Sequence, residues 1–139
     1  MSDGVLLDTH ALIWIVLGEP IRKEAATVIV AASTAGGVHI SAATAWELGI
    51  ISQKRSLEVV IAGDVRGWLA KAIRATRARL LALDFDLMID VGELPDLAHR
   101  DPADRMLIAT ARSHDLILVT RDRAILDYAA AGHVRAIAC

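Results

Sequence analysis

Short continuous apolar runs alternate along this chain with stretches whose apolar residues recur every three or four positions. The runs are Val5-Leu6-Leu7, Val38-His39-Ile40, Leu80-Leu81-Ala82-Leu83, Leu116-Ile117-Leu118-Val119 and Val134 to Ala138. Runs of this kind read as strands of a parallel sheet, and the last as an edge strand. The intervening stretches read as helices with legible ends. One spans Thr9 to Leu17, closed by Gly18 and Pro20, and a second runs from Ile21 to Ala32 and stops at Gly36-Gly37. Ser41 can cap a third, through about Gln53, with the basic Lys54-Arg55-Ser56 stretch at its end. Asp64 to Arg77 is amphipathic around Val65, Trp68, Leu69, Ala72 and Ile73, and Asp84 or Asp86 can cap a short helix to Leu94. Asp101-Pro102 sets a cap and a proline at the first helical position for a helix reaching His114-Asp115. A last helix covers Arg123 to Ala131, with Gly132 at C′. Strands alternating with helices predict an α/β fold, a three-layer α/β/α sandwich on a mainly parallel sheet of about five strands. The strand order stays open.

In such a sheet the carboxyl ends of the strands are the edge where ligands bind. Asp8 follows the first strand directly, and Asp122 falls just past the fourth. Either can simply cap the next helix. Asp104 lies in the first turn of its helix, where the dipole favours a carboxylate in any case. Glu47 resists that kind of explanation. Its same-face neighbours Ala43, Ile50 and Ile51 are apolar, and glutamate is seldom buried unpaired. It needs either an ion pair, with Arg105 or Arg121 as the candidates, or a metal.

Taken together, Asp8, Glu47, Asp104 and Asp122 can converge at one end of the sheet. Like charges 4 Å apart repel by about 4 kcal/mol at an effective dielectric near 20. Such a group raises its pKa values or recruits a cation. All-oxygen ligands select Mg²⁺ or Mn²⁺ over zinc, and the matching chemistry is phosphodiester hydrolysis by metal-activated water. The chain offers no paired Ser-His or Cys-His nucleophile and no glycine-rich phosphate loop.

Composition narrows the class without naming the substrate. The 139 residues are 55% apolar, with three Trp, one Tyr and one Phe, so the core is mainly aliphatic and a single domain over 1–139 is expected. One cysteine, Cys139, leaves no disulfide framework and no cysteine-based zinc site. The acidic start and the absence of a long apolar run predict a soluble, cytoplasmic protein. A net charge of −2 gives no overall nucleic-acid signature. Arg66, Lys71, Arg74, Arg77 and Arg79 nevertheless follow one another with no acid between them. Lys71, Arg74 and Arg77 share a helix face, either a solvated basic face or a set of RNA phosphate contacts.

The stretches VLLDTHALIW, ISAATAWELGI, HRDPADRMLIATAR and LVTRD, in that order, closely resemble the PIN-domain ribonucleases, and most of all the VapC toxins of VapBC toxin–antitoxin pairs. The resemblance covers essentially the whole chain. It implies that Asp8, Glu47, Asp104 and Asp122 form the family's acidic quartet for Mg²⁺ or Mn²⁺, with Asp8 and Asp104 the most secure metal ligands. It implies hydroxyls at Thr9 and Thr120 that orient carboxylates or water. It also implies endonucleolytic RNA cleavage, a homodimer, and inhibition by a cognate VapB-type antitoxin.

Asp101, before Pro102, reads as an N-cap rather than a ligand. The histidines His10, His39, His99, His114 and His133 show no metal-ligand helical spacing and read as structural or surface residues. His10 and His99 adjoin the acidic motifs and are candidate RNA contacts. Trp14 and Trp46 fall on apolar helix faces and read as core. Two other readings compete. A phosphoacceptor or aspartyl-phosphate phosphatase also sets a strand-end aspartate beside Mg²⁺, but position 10 is His and Thr120-Arg121-Asp122 stands where a receiver domain wants lysine. A non-catalytic metal- or partner-binding module would use the same acids without chemistry.

Overall fold

The computed structural model describes residues 4–53 and 64–139. Five strands, β1 (Val5–Leu7), β2 (Val38–Ser41), β3 (Arg79–Leu81), β4 (Ile117–Thr120) and β5 (Ala136–Ala138), form one sheet in the order β3-β2-β1-β4-β5. Every pairing is parallel, with Val5 beside both Val38 and Ile117. The helices are α1 (Thr9–Leu17), α2 (Lys23–Ser33), α3 (Ala42–Ser52), α4 (Val65–Thr76), α5 (Phe85–Gly92), α6 (Pro102–His114) and α7 (Arg123–Ala130). Among the described residues no helix is long and apolar enough to cross a membrane. The Lys54-Arg55-Ser56 stretch lies outside the described residues.

Side-chain alternation along the strands builds two cores. Leu6 and Leu118 face α5, α6 and α7 through Leu87, Val91, Leu107, Ile108, Ile125 and Tyr128. Val5, Leu7, Val38, Ile40 and Val119 face α1, α2 and α4 through Ala11, Leu12, Ala25, Ala32 and Ala72. Central strands covered on both faces are why β1 and β4 read as unbroken apolar runs. The sheet starts at β1, grows to β2 and β3, then turns back to add β4 on the other side. Its switch point therefore lies between β1 and β4, where α/β sheets open a crevice.

Three expectations need correction. The third apolar run enters the sheet as Arg79–Leu81, and Leu80 is 65% exposed because β3 is an edge strand. Trp46 is 48% exposed, since the buried side of α3 is taken by Ala43, Thr44, Leu48 and Ile51. Trp14, by contrast, packs half-buried against the core as expected. Finally, α4 ends at Thr76, and Arg77 caps it in the left-handed conformation (φ 54°), outside the face that Lys71 and Arg74 share.

Candidate active site at the carboxyl edge of the sheet

Each helix that follows a strand begins at the carboxyl edge, so its N-terminus and the positive end of its dipole point there. Asp8 caps α1 by accepting the Ala11 N–H at 2.7 Å, and Asp122 caps α7 by accepting that of Ile125 at 3.0 Å. The first turn of α6 carries Asp104, whose own N–H donates to the cap Asp101 at 3.0 Å. Glu47 reaches the same edge from the second turn of α3. Asp8, Glu47, Asp104 and Asp122 line one cavity of about 390 Å³, together with Thr9, His10, Trp14, Asp101 and Arg121.

The buried Thr120 joins two of these acids. Its hydroxyl donates to Asp8 Oδ2 at 2.5 Å and accepts the Asp122 N–H at 3.0 Å. Thr9 borders the cavity, but its hydroxyl donates to Thr44 at 3.1 Å rather than to an acid. Burial pushes the Asp8 carboxyl above the usual range, against the hydrogen bonds from Thr120 and Ala11. Burial likewise raises Asp104 to about 6, with the charges of Asp101 and Asp122 adding to the effect and the His99 hydrogen bond opposing it.

His99, read from the sequence as a structural residue or an RNA contact, instead lies among the acids. Its Nε2 lies 2.7 Å from Asp104 Oδ2. Ligand atoms of His99, Asp104 and Asp122 all fall within 4.8 Å of one another, and Asp8 and Glu47 stand outside this tightest group. The five-residue separation of His99 from Asp104 is no helical metal spacing, because the loop before Asp101 folds back over the first turn of α6. Arg105 holds that loop by donating to the carbonyls of Val91 and His99 at 3.1 and 3.0 Å. Tyr128 fixes its earlier part through a hydrogen bond to the Pro95 carbonyl. The useful signal was local: a histidine two residues before an Asp-Pro cap is within reach of the first-turn acid.

The expected ion pair of Glu47 does not form among the described residues. Arg105 spends its donors on backbone carbonyls. Arg121 stacks on Trp14, 3.8 Å from the ring centroid, and donates to the carbonyls of Pro20 and Cys139. Glu47 is left half-buried at the cavity wall. Lys71, Arg74 and Arg77 are exposed, and none of them lines the acidic cavity.

Residues 5–131 match the PIN domain family, and the chain belongs to it. It is similar to Ribonuclease VapC22 of Mycobacterium tuberculosis, with 31% identity over 119 residues, 86% of this chain and 87% of the relative. Among solved structures, VapBC2 from Rickettsia felis bound to a promoter DNA fragment shares the fold at a TM-score of 0.70 and 15% identity, covering 98% of both chains. DNA-bound VapBC from Salmonella typhimurium matches at 0.68 and 22% identity, over 99% of this chain and 98% of the other.

Proposed function

We propose that this chain is a VapC-type endoribonuclease, the toxin of a type II toxin–antitoxin pair, acting on RNA in the cytoplasm. The observation that carries the reading is the gathering of Asp8, Glu47, Asp104 and Asp122 around one cavity at the sheet's switch point. The similarity to a named ribonuclease over most of both chains supports it. The donor set fits a hard divalent cation: carboxylates dominate, one imidazole is hydrogen-bonded beside them, and burial, aided by the charges of Asp101 and Asp122, makes Asp104 resist ionisation.

Asp104 and Asp122 would hold Mg²⁺ or Mn²⁺, with Asp8 and Glu47 completing the acidic surround and His99 beside Asp104. When bound, the ion supplies an activated water and neutralises charge on the attacked phosphate. The chain's own residues do the positioning. Thr120 fixes the rotamer of Asp8 and the backbone of Asp122 at once. His99 Nε2 orients Asp104 Oδ2, the kind of outer contact that tunes a ligand. The N-termini of α1, α6 and α7 favour the ionised carboxylates.

A VapB-type antitoxin and a second copy of the chain are the expected partners, in keeping with structural neighbours that are toxin–antitoxin complexes. The exposed Phe85, Met88 and Ile89 of α5 favour protein assembly over a lone monomer. The test is cleavage of total bacterial RNA by antitoxin-free protein. Discrete fragments with Mg²⁺ or Mn²⁺, and intact RNA with EDTA, are expected. Intact RNA with either metal would overturn the enzymatic reading in favour of a binding module.

A further inference from the structure

Beside the acidic cavity lies a second one of opposite character, about 550 Å³ in volume and lined by Arg22, Arg121 and Arg123 over a floor that includes Ile21 and Leu126. Arg121 belongs to the walls of both cavities. Its stacking on Trp14 and its bonds to the Pro20 and Cys139 carbonyls hold it rigidly between them. Arg22 and Arg123 differ from it. All three are exposed, but among the described residues the guanidinium groups of Arg22 and Arg123 make no hydrogen bond or ion pair.

A polyanion approaching four carboxylates needs an anchor nearby, and a chain of net charge −2 supplies no general attraction. Two unspent guanidinium groups over an apolar floor offer phosphate oxygens forked donors and a ribose or base an apolar contact. We propose that the Arg22–Arg123 cavity seats a backbone phosphate of the RNA, on a nucleotide adjoining the one placed over the acids. The strand would pass across the Arg121–Trp14 stack. This inference rests on the ribonuclease reading for the identity of the strand.

The test is fluorescence anisotropy of a labelled oligouridylate with EDTA present, so that nothing is cleaved, across a range of salt. Arg22→Ala/Arg123→Ala is expected to weaken binding about tenfold. It should also flatten the dependence of log Kd on log salt by about 0.7, the increment for one phosphate contact on a single strand. Arg112→Ala/Arg135→Ala removes the same charge at positions that line neither cavity and should leave both quantities near wild type. An equal loss from the two double variants, or no loss from the first, would overturn the proposal. So would displacement of the RNA by hexaglutamate as effectively as by unlabelled oligouridylate, which would give the cavity to an acidic peptide. Total-RNA cleavage with Mg²⁺ is followed in the same wild-type preparation. Binding that depends on Arg22 and Arg123 without any cleavage would retire the ribonuclease reading and leave the phosphate seat standing.

Discussion

Asp84 and Asp122 perform the same local task in very different places. Asp84 caps α5 by accepting the Leu87 N–H at 2.8 Å, and Asp122 caps α7 by accepting that of Ile125 at 3.0 Å. Asp64 and Asp8 repeat the pair at α4 and α1. Asp64 and Asp84 are exposed, and the cap accounts for them. Asp8 and Asp122 sit at the carboxyl ends of the two strands that flank the switch point, and Thr120 ties them together. A capping role therefore says nothing against a functional one. What separates the two regions is where the sheet's topology delivers the carboxylate, and which other acids it delivers alongside.

Asparagine caps a helix about as well as aspartate but carries no charge, so Asp→Asn substitutions isolate that difference. The largest expected effect is on cleavage: Asp8→Asn and Asp104→Asn should each lower the RNA cleavage rate by more than about a hundredfold with the circular dichroism spectrum unchanged. Asp84→Asn should cleave like wild type. His99→Ala tests the reach of the site, and its Mn²⁺ affinity, read by calorimetric titration, should fall by about tenfold or more.

A smaller effect should appear in stability against pH. Folded Asp104 keeps its proton until about pH 6, whereas an ordinary aspartate releases it near 3.8. Between those values the folded chain holds the extra proton, so metal-free protein is most stable at the acid end and loses stability as pH rises. The loss is at most about 3 kcal/mol, at about 1.4 kcal/mol per pH unit. Melting temperatures in EDTA should fall across this window for wild type and Asp84→Asn, and fall less for Asp104→Asn. Added Mg²⁺ should raise the melting temperature more above pH 6 than at pH 5, because its ligands must be deprotonated. The smallest effect belongs to the plain cap. Asp84→Ala should cost about 1 kcal/mol in chemical denaturation with cleavage unaltered.

The strands and helices, though not the strand order, were legible because buried parallel strands leave continuous apolar runs and their helices carry Asp, Ser, Gly and Pro at the ends. Thr9–Leu17 came out residue for residue, and the Asp101-Pro102 start was equally plain. Reading failed where burial depends on neighbours that pattern alone does not contain. Leu80 looks like core but lies on an edge strand, and Trp46 looks apolar-faced on a helix whose inner side is already filled. At the site, acids directly after strands could be placed by topology alone. His99 could not, because a loop held by Arg105 and Tyr128 carries it to Asp104.

The most direct test of the central claim is a Mn²⁺ titration of three proteins: wild type, Asp122→Asn and Asp84→Asn. Both substitutions keep a helix cap and remove one negative charge. The account predicts that wild type and Asp84→Asn bind Mn²⁺ with the same affinity, while Asp122→Asn binds at least about tenfold more weakly. Equal affinity in all three would contradict it, showing that the carboxylates at the switch point are caps like the others and no metal centre forms there.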